Sequence, residues 1–111
     1  MNKKTLPAPS PVALVTGAGS GVGRAVVHQL ATEGWRIALV GRRPDALAET
    51  IRLAPAATRK RLVAFACDIG DHAAVGKMSA AVLARFGHID AFVNAAGTNT
   101  PRRSWSELPL A

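Results

Sequence analysis

The sequence has no tyrosine, one cysteine and only 7 acidic residues, and each shortage narrows what the chain can be. Cys67 has no second cysteine to pair with, which excludes a disulfide within the chain. A length of 111 residues suits one domain, and no apolar run reaches the roughly 20 residues of a membrane helix. Near the start, lysines and prolines stand where an export signal would need a smooth apolar stretch. We therefore expect a cytoplasmic protein with no membrane partner.

Basic residues outnumber acidic ones, with 14 Lys and Arg against 7 Asp and Glu and a formal net charge of +7. Such an excess suggests an anionic partner, and a nucleic acid would be one. The basic residues occur in small groups separated by apolar segments, with no interleaved aromatic side chains on which bases could stack. We therefore expect no nucleic-acid partner, and a solvated basic surface in which one arginine pair binds a phosphate.

Short apolar runs alternate with helical patterns through most of the chain. Strands are predicted over Val12–Thr16, Ile37–Val40, Leu62–Ala66 and Ala91–Asn94. Because these runs are apolar throughout rather than at alternate positions, both faces of the sheet should be buried. The order β-α-β-α-β-α-β predicts an α/β fold, a partial doubly wound Rossmann-type parallel sheet with strand order 3-2-1-4.

The three intervening helices are marked by their apolar spacing and by their ends. Val22, Val26 and Leu30 lie at helical spacing in the first, and Asp71 is placed to cap the third. Residues 58–61 are expected to be a basic connection. Residues 1–10, with their prolines, are expected to form a flexible tail, and residues 11–111 a Rossmann half-domain truncated after the fourth strand.

The strongest local signal is a glycine-rich sequence between the first strand and the first helix, Thr16-Gly17-Ala18-Gly19-Ser20-Gly21-Val22-Gly23. A helix start offers free backbone N–H groups and the positive end of the helix dipole, which together bind anions. The expected roles are a tight turn at Gly17, close approach of a diphosphate at Gly19 and Gly21, close helix packing at Gly23, and a hydroxyl for ribose or phosphate at Ser20. The spacing T-G-x-x-x-G-x-G fits neither the general G-x-G-x-x-G fingerprint nor the Walker loop, and a glycine-rich turn without a ligand is the alternative.

This sequence resembles the cofactor loop of the classical short-chain dehydrogenase/reductase family. Asn94-Ala95-Ala96-Gly97 is similar to that family's Asn-Asn-Ala-Gly motif, and Gly87-His88-Ile89-Asp90 resembles its usual lead-in. Asp68 falls where the family places an acid beside the adenine ring; the alternative is an ordinary turn residue before the next helix. The resemblance covers roughly residues 11–105, and it implies a nicotinamide dinucleotide cofactor and hydride transfer to or from a carbonyl or alcohol.

The end of the second strand distinguishes the two nicotinamide cofactors. An NAD site usually has an acid there to bind the ribose 2′-hydroxyl, whereas this chain has Gly41 followed by Arg42 and Arg43. A guanidinium binds the 2′-phosphate that an acid would repel, so we predict NADP rather than NAD, with Arg42 as the phosphate ligand. Arg43 would stack on adenine or face solvent, and the alternative is that both arginines are surface charges.

The predicted cofactor-binding residues combine the glycine-rich loop, the arginine pair and the positions that the resemblance implies. They are Gly17, Gly19, Ser20, Gly21, Val22, Gly23, Arg42, Arg43, Asp68, Ile69, Asn94, Ala95, Ala96 and Gly97. His28 and His88 have no metal-ligand partner at a useful spacing, so no metal site is predicted.

No catalytic residue is predicted in this chain. The resemblance implies a Tyr that moves the proton, aided by a Lys, a Ser and an Asn beyond the fourth strand, and the chain contains no tyrosine. We therefore expect a fragment that binds NADP but is inactive alone, with a non-catalytic NADP-binding module as the alternative. The full-length enzyme would take a small-molecule substrate and form a homo-oligomer, and an uncovered fourth strand predicts poor solubility or a broad thermal transition.

Overall fold

A computed structural model describes residues 10–95, in which four strands alternate with three α-helices. The elements are β1 Val12–Thr16, α1 Gly21–Thr32, β2 Arg36–Gly41, α2 Pro44–Leu53, β3 Leu62–Ala66, α3 His72–Phe86 and β4 Ala91–Asn94. A 3₁₀ helix at Ala56–Arg61 occupies the stretch that the sequence predicts to be a plain connection. The tail predicted over residues 1–10 lies outside the described residues except for its last one, as do Ala96 and Gly97.

All four strands are parallel and lie in the order β3-β2-β1-β4, which confirms the predicted topology. In register, Leu14 of β1 stands between Ala38 of β2 and Phe92 of β4. Strand β1 is buried along its whole length and β2 along its four central residues, as a parallel sheet covered on both faces requires. The outer strands β3 and β4 alternate between more and less buried positions, so the prediction of burial on both faces holds for the inner pair only.

Two apolar clusters sandwich the sheet. On one face, α1 and α2 pack through Val27 and Leu47 against Val15 and Leu39. On the other, Met78 and Val82 of α3 are among the residues that cover Leu14 and Val40. The structure is therefore a three-layer α/β/α arrangement, and the carboxyl ends of all four strands meet at one edge.

The first helix presents a different face to the sheet from the one that its sequence suggests. Of the predicted stripe, Val22 is 72% exposed, and Val26 and Leu30 are only partly buried. The buried stripe is Gly23, Val27 and Ala31, one residue further along. Because Gly23 has no side chain, the helix backbone can come close to the loop beneath it, and that approach sets the rotation of the helix.

The third helix has the ends that its sequence predicts. The Asp71 carboxylate accepts hydrogen bonds from the backbone N–H of Ala73 at 3.0 Å and of Ala74 at 3.2 Å, which makes it the N-cap. Gly87 ends the helix in the left-handed region with φ +87°. Within residues 10–95, none of the helices combines the length and the apolar character needed to cross a membrane.

Candidate functional site

A cavity of about 780 Å³ opens where the carboxyl ends of the four strands meet. It is lined by the glycine-rich loop after β1 and by the segments that follow β2, β3 and β4. The lining residues are Gly17, Gly19, Ser20, Gly21, Val22, Gly41, Arg42, Arg43, Cys67, Asp68, Ile69, Asn94 and Ala95. A crevice outside the strand ends is the place where open parallel sheets bind their ligands.

Most residues predicted from the sequence thus share one cavity. Gly23 is an exception, because it packs beneath the loop and does not line the cavity. Ala96 and Gly97 lie outside the described residues, so the structure does not address them. Sequence reasoning missed two lining residues, Gly41 and Cys67, although both directly precede positions that it singled out.

Hydrogen bonds between strand ends hold the rim of the cavity together. The N–H of Ala18 donates to the Val40 carbonyl at 3.2 Å, which joins the loop to β2. The N–H of Cys67 donates to the Gly41 carbonyl at 2.8 Å, which joins β2 to the segment after β3. These bonds fix the positions from which the loop and the following segments reach the cavity.

A side-chain bond completes the rim on the β4 side. The Thr16 hydroxyl donates to the Asn94 side-chain oxygen at 2.9 Å. The threonine that opens the glycine motif therefore ties the end of β1 to the end of β4. The sequence analysis assigned Thr16 no role, and only the parallel pairing of β1 with β4 brings the two residues together.

The loop glycines serve three steric purposes. Gly17 and Gly21 adopt φ +65° and +54°, a region that side chains disfavour. A Cβ on Gly23 would lie 1.9 Å from the Gly17 carbonyl oxygen, so the start of α1 touches the turn after β1. A Cβ on Gly19 would lie 2.8 Å from the Cβ of Ala46 in α2, so its missing side chain faces the helix rather than the cavity. The missing side chain at Gly19 therefore makes room for α2, and the approach of a diphosphate at this residue stays a prediction.

The two arginines after β2 have different surroundings. Both are exposed and line the cavity, but an Nη atom of Arg43 lies 3.1 Å from the Asp45 carboxylate, with both side chains more than 70% exposed. The Arg43 guanidinium beside Asp45 lowers the pKa of that carboxyl through a hydrogen bond and its charge. No carboxylate among residues 10–95 forms an ion pair with Arg42. Of the pair, Arg42 is the one whose charge faces the cavity without an ionic partner in the described chain.

Asp68 forms the bond of a turn residue and also lines the cavity, while its contact with an adenine stays a prediction. Its Oδ1 accepts a hydrogen bond from the N–H of Gly70 at 2.9 Å, which is the bond of a turn residue. The same side chain lines the cavity, next to Ile69, which is 42% exposed. A carboxylate and an apolar side chain therefore lie together at this end of the cavity.

Cys67 lies at the floor of the same end. The residue is only 7% exposed, and it packs with the cluster that α3 covers. Burial raises the pKa of its thiol, and the nearby carboxylates of Asp68 and Asp71 raise it further. At neutral pH the thiol is protonated, so it contributes apolar surface rather than a nucleophile. Within residues 10–95 no group of three or more His, Cys, Asp or Glu is arranged to hold a metal ion.

Two residues behind the loop were not predicted from the sequence. Arg24 of α1 donates to the Gly19 carbonyl at 2.7 Å and to the Thr50 hydroxyl oxygen at 2.9 Å. Thr50 of α2 is fully buried, and its hydroxyl donates to the Ala18 carbonyl at 2.7 Å. The only sequence signal was a polar residue at a core-facing helix position. Thr50 meets Arg24 and Ala18 from 26 and 32 positions away, distances at which sequence spacing gives no sign of a contact.

Comparison with known proteins places this architecture in a family. The family model for short chain dehydrogenases matches residues 11–110. The chain belongs to the short-chain dehydrogenase family. It is 45% identical over 86 residues to D-threitol dehydrogenase of Mycolicibacterium smegmatis, an alignment that covers 78% of this chain and 33% of that protein.

Solved structures of the family share the fold of this short-chain dehydrogenase chain. A variant of actinorhodin polyketide ketoreductase with NADPH superposes with a TM-score of 0.71 at 31% identity, covering 87% of this chain and 38% of that one. NAD+-bound xylitol dehydrogenase also gives 0.71, at 33% identity over 83% of this chain and 35% of that one. The chain thus spans about a third of the length of such relatives, and these two neighbours hold different nicotinamide cofactors.

Proposed function

We propose that this chain is the cofactor-binding part of an oxidoreductase that uses NADP(H) to transfer hydride to or from a carbonyl or alcohol. One observation carries the proposal: the glycine-rich loop, Arg42 and Asp68 line a single cavity at the strand ends. Those groups offer sites for a diphosphate, a 2′-phosphate and an adenine, which are the parts of one dinucleotide.

The loop fits a diphosphate in both shape and charge. It leads directly into α1, whose first turn supplies backbone N–H groups and the positive end of a helix dipole. No acidic residue occurs in the loop or in the first turn of the helix. Ser20, the exposed N-cap of α1, makes no side-chain capping bond, so its hydroxyl is available to a ribose or phosphate oxygen.

The apolar parts of a dinucleotide also find partners at the cavity. Val22 is 72% exposed at the rim, and a ligand that covered its apolar side chain would gain binding free energy by removing that surface from water. Ile69, 42% exposed, offers a surface for a flat aromatic base, with the Asp68 carboxylate beside it to accept from an amino group. These contacts support an adenine at the β3 end of the cavity.

The preference for NADP over NAD rests on the residues after β2. Gly41 stands where an acid would bind a ribose 2′-hydroxyl, and Arg42 follows it with no ionic partner among residues 10–95. Arg43 is already paired with Asp45, so Arg42 is the better ligand for a 2′-phosphate. One structural neighbour holds NADPH and another holds NAD+, so membership of the family does not determine the cofactor. The proposed preference for NADP therefore depends on Arg42.

In the proposed reaction, the residues of this chain bind the cofactor and orient it. The nicotinamide, when bound, supplies or accepts the hydride, while proton transfer at the substrate oxygen needs an acid or base. The chain contains no tyrosine, so the proton-transferring Tyr that the family resemblance implies is not among its 111 residues. We therefore propose the small-molecule substrate and the homo-oligomer for a full-length enzyme of which this chain is a part.

Titration of the chain with NADPH and NADH tests the cofactor assignment. Loss of a charge-assisted hydrogen bond costs about 1.5–3 kcal/mol, and because Arg42 is exposed we expect the lower end, roughly tenfold weaker NADPH binding for Arg42→Ala. NADH binding should be unchanged. Arg85→Ala removes another exposed arginine, which lies in the last turn of α3 and does not line the cavity, and it should affect neither cofactor. Equal losses of NADPH binding in both variants would show that only overall charge matters.

A turnover assay tests whether the residues of this chain serve only in cofactor binding, as both functions that this site could serve require. Both the cofactor half of an enzyme and a non-catalytic NADP-binding module should bind NADPH and lose that binding in Arg42→Ala. We expect no reduction of carbonyl substrates by the 111-residue chain alone. Reduction by the purified chain would contradict the assignment of its residues to binding only.

A further inference from the structure

We propose that Arg24 and Thr50 form a clamp that orients two peptide groups of the glycine-rich loop so that their N–H groups face a bound diphosphate. The inference rests on the proposed function, since the diphosphate belongs to the dinucleotide assigned to the cavity. It adds two positioning residues, one from α1 and one from α2, neither of which lines the cavity.

Thr50 provides the fixed half of the clamp. It is fully buried in α2, and its hydroxyl donates to the Ala18 carbonyl oxygen at 2.7 Å. The same oxygen accepts the Nε–H of Arg24 at 2.9 Å, and the Ala46 carbonyl oxygen lies 3.3 Å away as a second, more distant acceptor for the hydroxyl proton. Nε2 of His28 lies 2.8 Å from the Thr50 backbone carbonyl, which gives α1 and α2 a further polar contact. The shorter bond to Ala18 and the bond accepted from Arg24 favour the orientation in which the Thr50 hydroxyl holds the loop.

Arg24 provides the charged half. Its Nη2 donates to the Gly19 carbonyl at 2.7 Å and lies 3.4 Å from the Ala46 carbonyl. The guanidinium therefore joins the loop, the first helix and the second helix. Within residues 10–95 it forms no ion pair with a carboxylate, so its charge is directed to backbone oxygens and the Thr50 hydroxyl.

The two carbonyl contacts set the direction of two N–H groups. In a planar trans peptide the C=O and N–H point in opposite directions. With the Ala18 and Gly19 carbonyls held by the clamp, the N–H groups of Gly19 and Ser20 point away from it. No hydrogen-bond acceptor within the described chain is paired with either N–H group. Both residues line the cavity, so these donors are available to an anion there.

Glycine makes such a clamp necessary. A residue without a Cβ passes easily between backbone conformations, so a peptide next to Gly19 can rotate. If either peptide turned over, a carbonyl oxygen would replace an N–H donor facing the diphosphate and repel its negative charge. Bonds from a guanidinium and a buried hydroxyl oppose this rotation before the cofactor arrives, which reduces the ordering that binding requires.

Two ligands distinguish a positioning role from a general loss of structure. NADPH has a diphosphate, whereas adenosine 2′-monophosphate carries only the adenine, ribose and 2′-phosphate. For Thr50→Val and for Arg24→Met we expect NADPH binding by the full 111-residue chain to weaken roughly tenfold, the effect of one misdirected hydrogen bond near a charge. Binding of adenosine 2′-monophosphate should stay within about twofold, because its contacts lie at Arg42 and Asp68. Thr50→Ser, which keeps the hydroxyl, should restore NADPH binding.

Each outcome bears on one claim. If the wild-type chain binds neither ligand, the proposed function is wrong. If it binds both but Thr50→Val and Arg24→Met bind NADPH as tightly as wild type, only the clamp is wrong. A parallel loss for both ligands would also overturn the clamp, because it indicates a deformed cavity. Arg24 is partly buried rather than fully buried, so Arg24→Met carries the test if Thr50→Val does not fold.

Discussion

Two chemically identical substitutions should change stability in opposite directions in this protein. Gly23 lies in the first turn of α1, and Gly76 lies inside α3. A Cβ on Gly23 would be 1.9 Å from the Gly17 carbonyl oxygen and 2.6 Å from its carbonyl carbon, whereas a Cβ on Gly76 would have nothing within 4 Å. The comparison isolates the contact between α1 and the loop from the general effect of replacing glycine by alanine in a helix.

The magnitudes follow from two opposing contributions. Alanine is favoured over glycine inside a helix by about 0.8–1 kcal/mol. At Gly76 nothing opposes this gain, so Gly76→Ala should raise the free energy of unfolding by nearly that amount. At Gly23 the clash is with backbone atoms, which must separate by more than about 1 Å. Overpacking of this kind costs about 1–3 kcal/mol, and with rigid backbone we expect the upper end, a net loss of about 2 kcal/mol.

Urea unfolding followed by circular dichroism measures both variants directly. Because the clash displaces the loop that lines the cavity, Gly23→Ala should also lose NADPH binding, while Gly76→Ala should bind as wild type does. If Gly23→Ala were as stable as the wild-type chain, the close approach of α1 to the turn after β1 would be wrong. A loss of NADPH binding in Gly76→Ala would also contradict this reasoning, because Gly76 does not line the cavity.

Two further predictions concern α3 and the floor of the cavity. Asp71→Ala removes the hydrogen bonds from the N–H groups of Ala73 and Ala74 and should lower the free energy of unfolding in urea by about 1 kcal/mol. Asp71→Asn keeps an acceptor and should lower it less. Equal losses in the two variants would show that Asp71 does not act as the cap. Burial raises the pKa of the Cys67 thiol in the folded protein. The protonated thiol therefore stabilises the fold fully below the ordinary thiol pKa, and this stabilisation is lost as the pH rises through the folded-state pKa. The free energy of unfolding should fall more steeply at alkaline pH in wild type than in Cys67→Ala, and parallel curves would contradict this.

Most of the architecture was predictable because its signals are local. Apolar runs bounded by glycine and proline mark the strands, and the alternation of strands with helices fixes a parallel sheet. The rotation of α1 was not predictable in the same way. Val22 fits an apolar stripe in the sequence, yet the buried stripe passes through Gly23, because the close contact with Gly17 turns the helix. Hydropathy patterns depend on side chains, so they give no sign of a contact made by a glycine.

The site shows the same division between local and distant information. The loop, Arg42 and Asp68 could be predicted because each follows a strand, and parallel strands end at one edge. Arg24 and Thr50 could not, since their roles come from bonds between α1, α2 and the loop that no sequence spacing specifies. For the same reason Gly19 was assigned clearance for a ligand, whereas the neighbour that its missing Cβ would meet is Ala46 of α2.

The use of the basic residues in the described chain also bears on the kind of anion that it would bind. Arg24 holds the loop, and Arg36 lies over the ring of Phe86 at 5.4 Å from its centroid. Arg59 and Arg61 donate to backbone carbonyls, including those of Ala54 and Ala31 at the ends of α2 and α1, as cations near helix ends commonly do.

Each of these four arginines has a partner within the fold, so its guanidinium is already engaged. The basic side chain that lines the cavity without an ionic partner in residues 10–95 is Arg42. A single guanidinium beside a helix start suits one small phosphate ligand. Several arginines of the described chain thus hold helices and the loop in place, and Arg42 is the one that we propose to bind the phosphate of a dinucleotide.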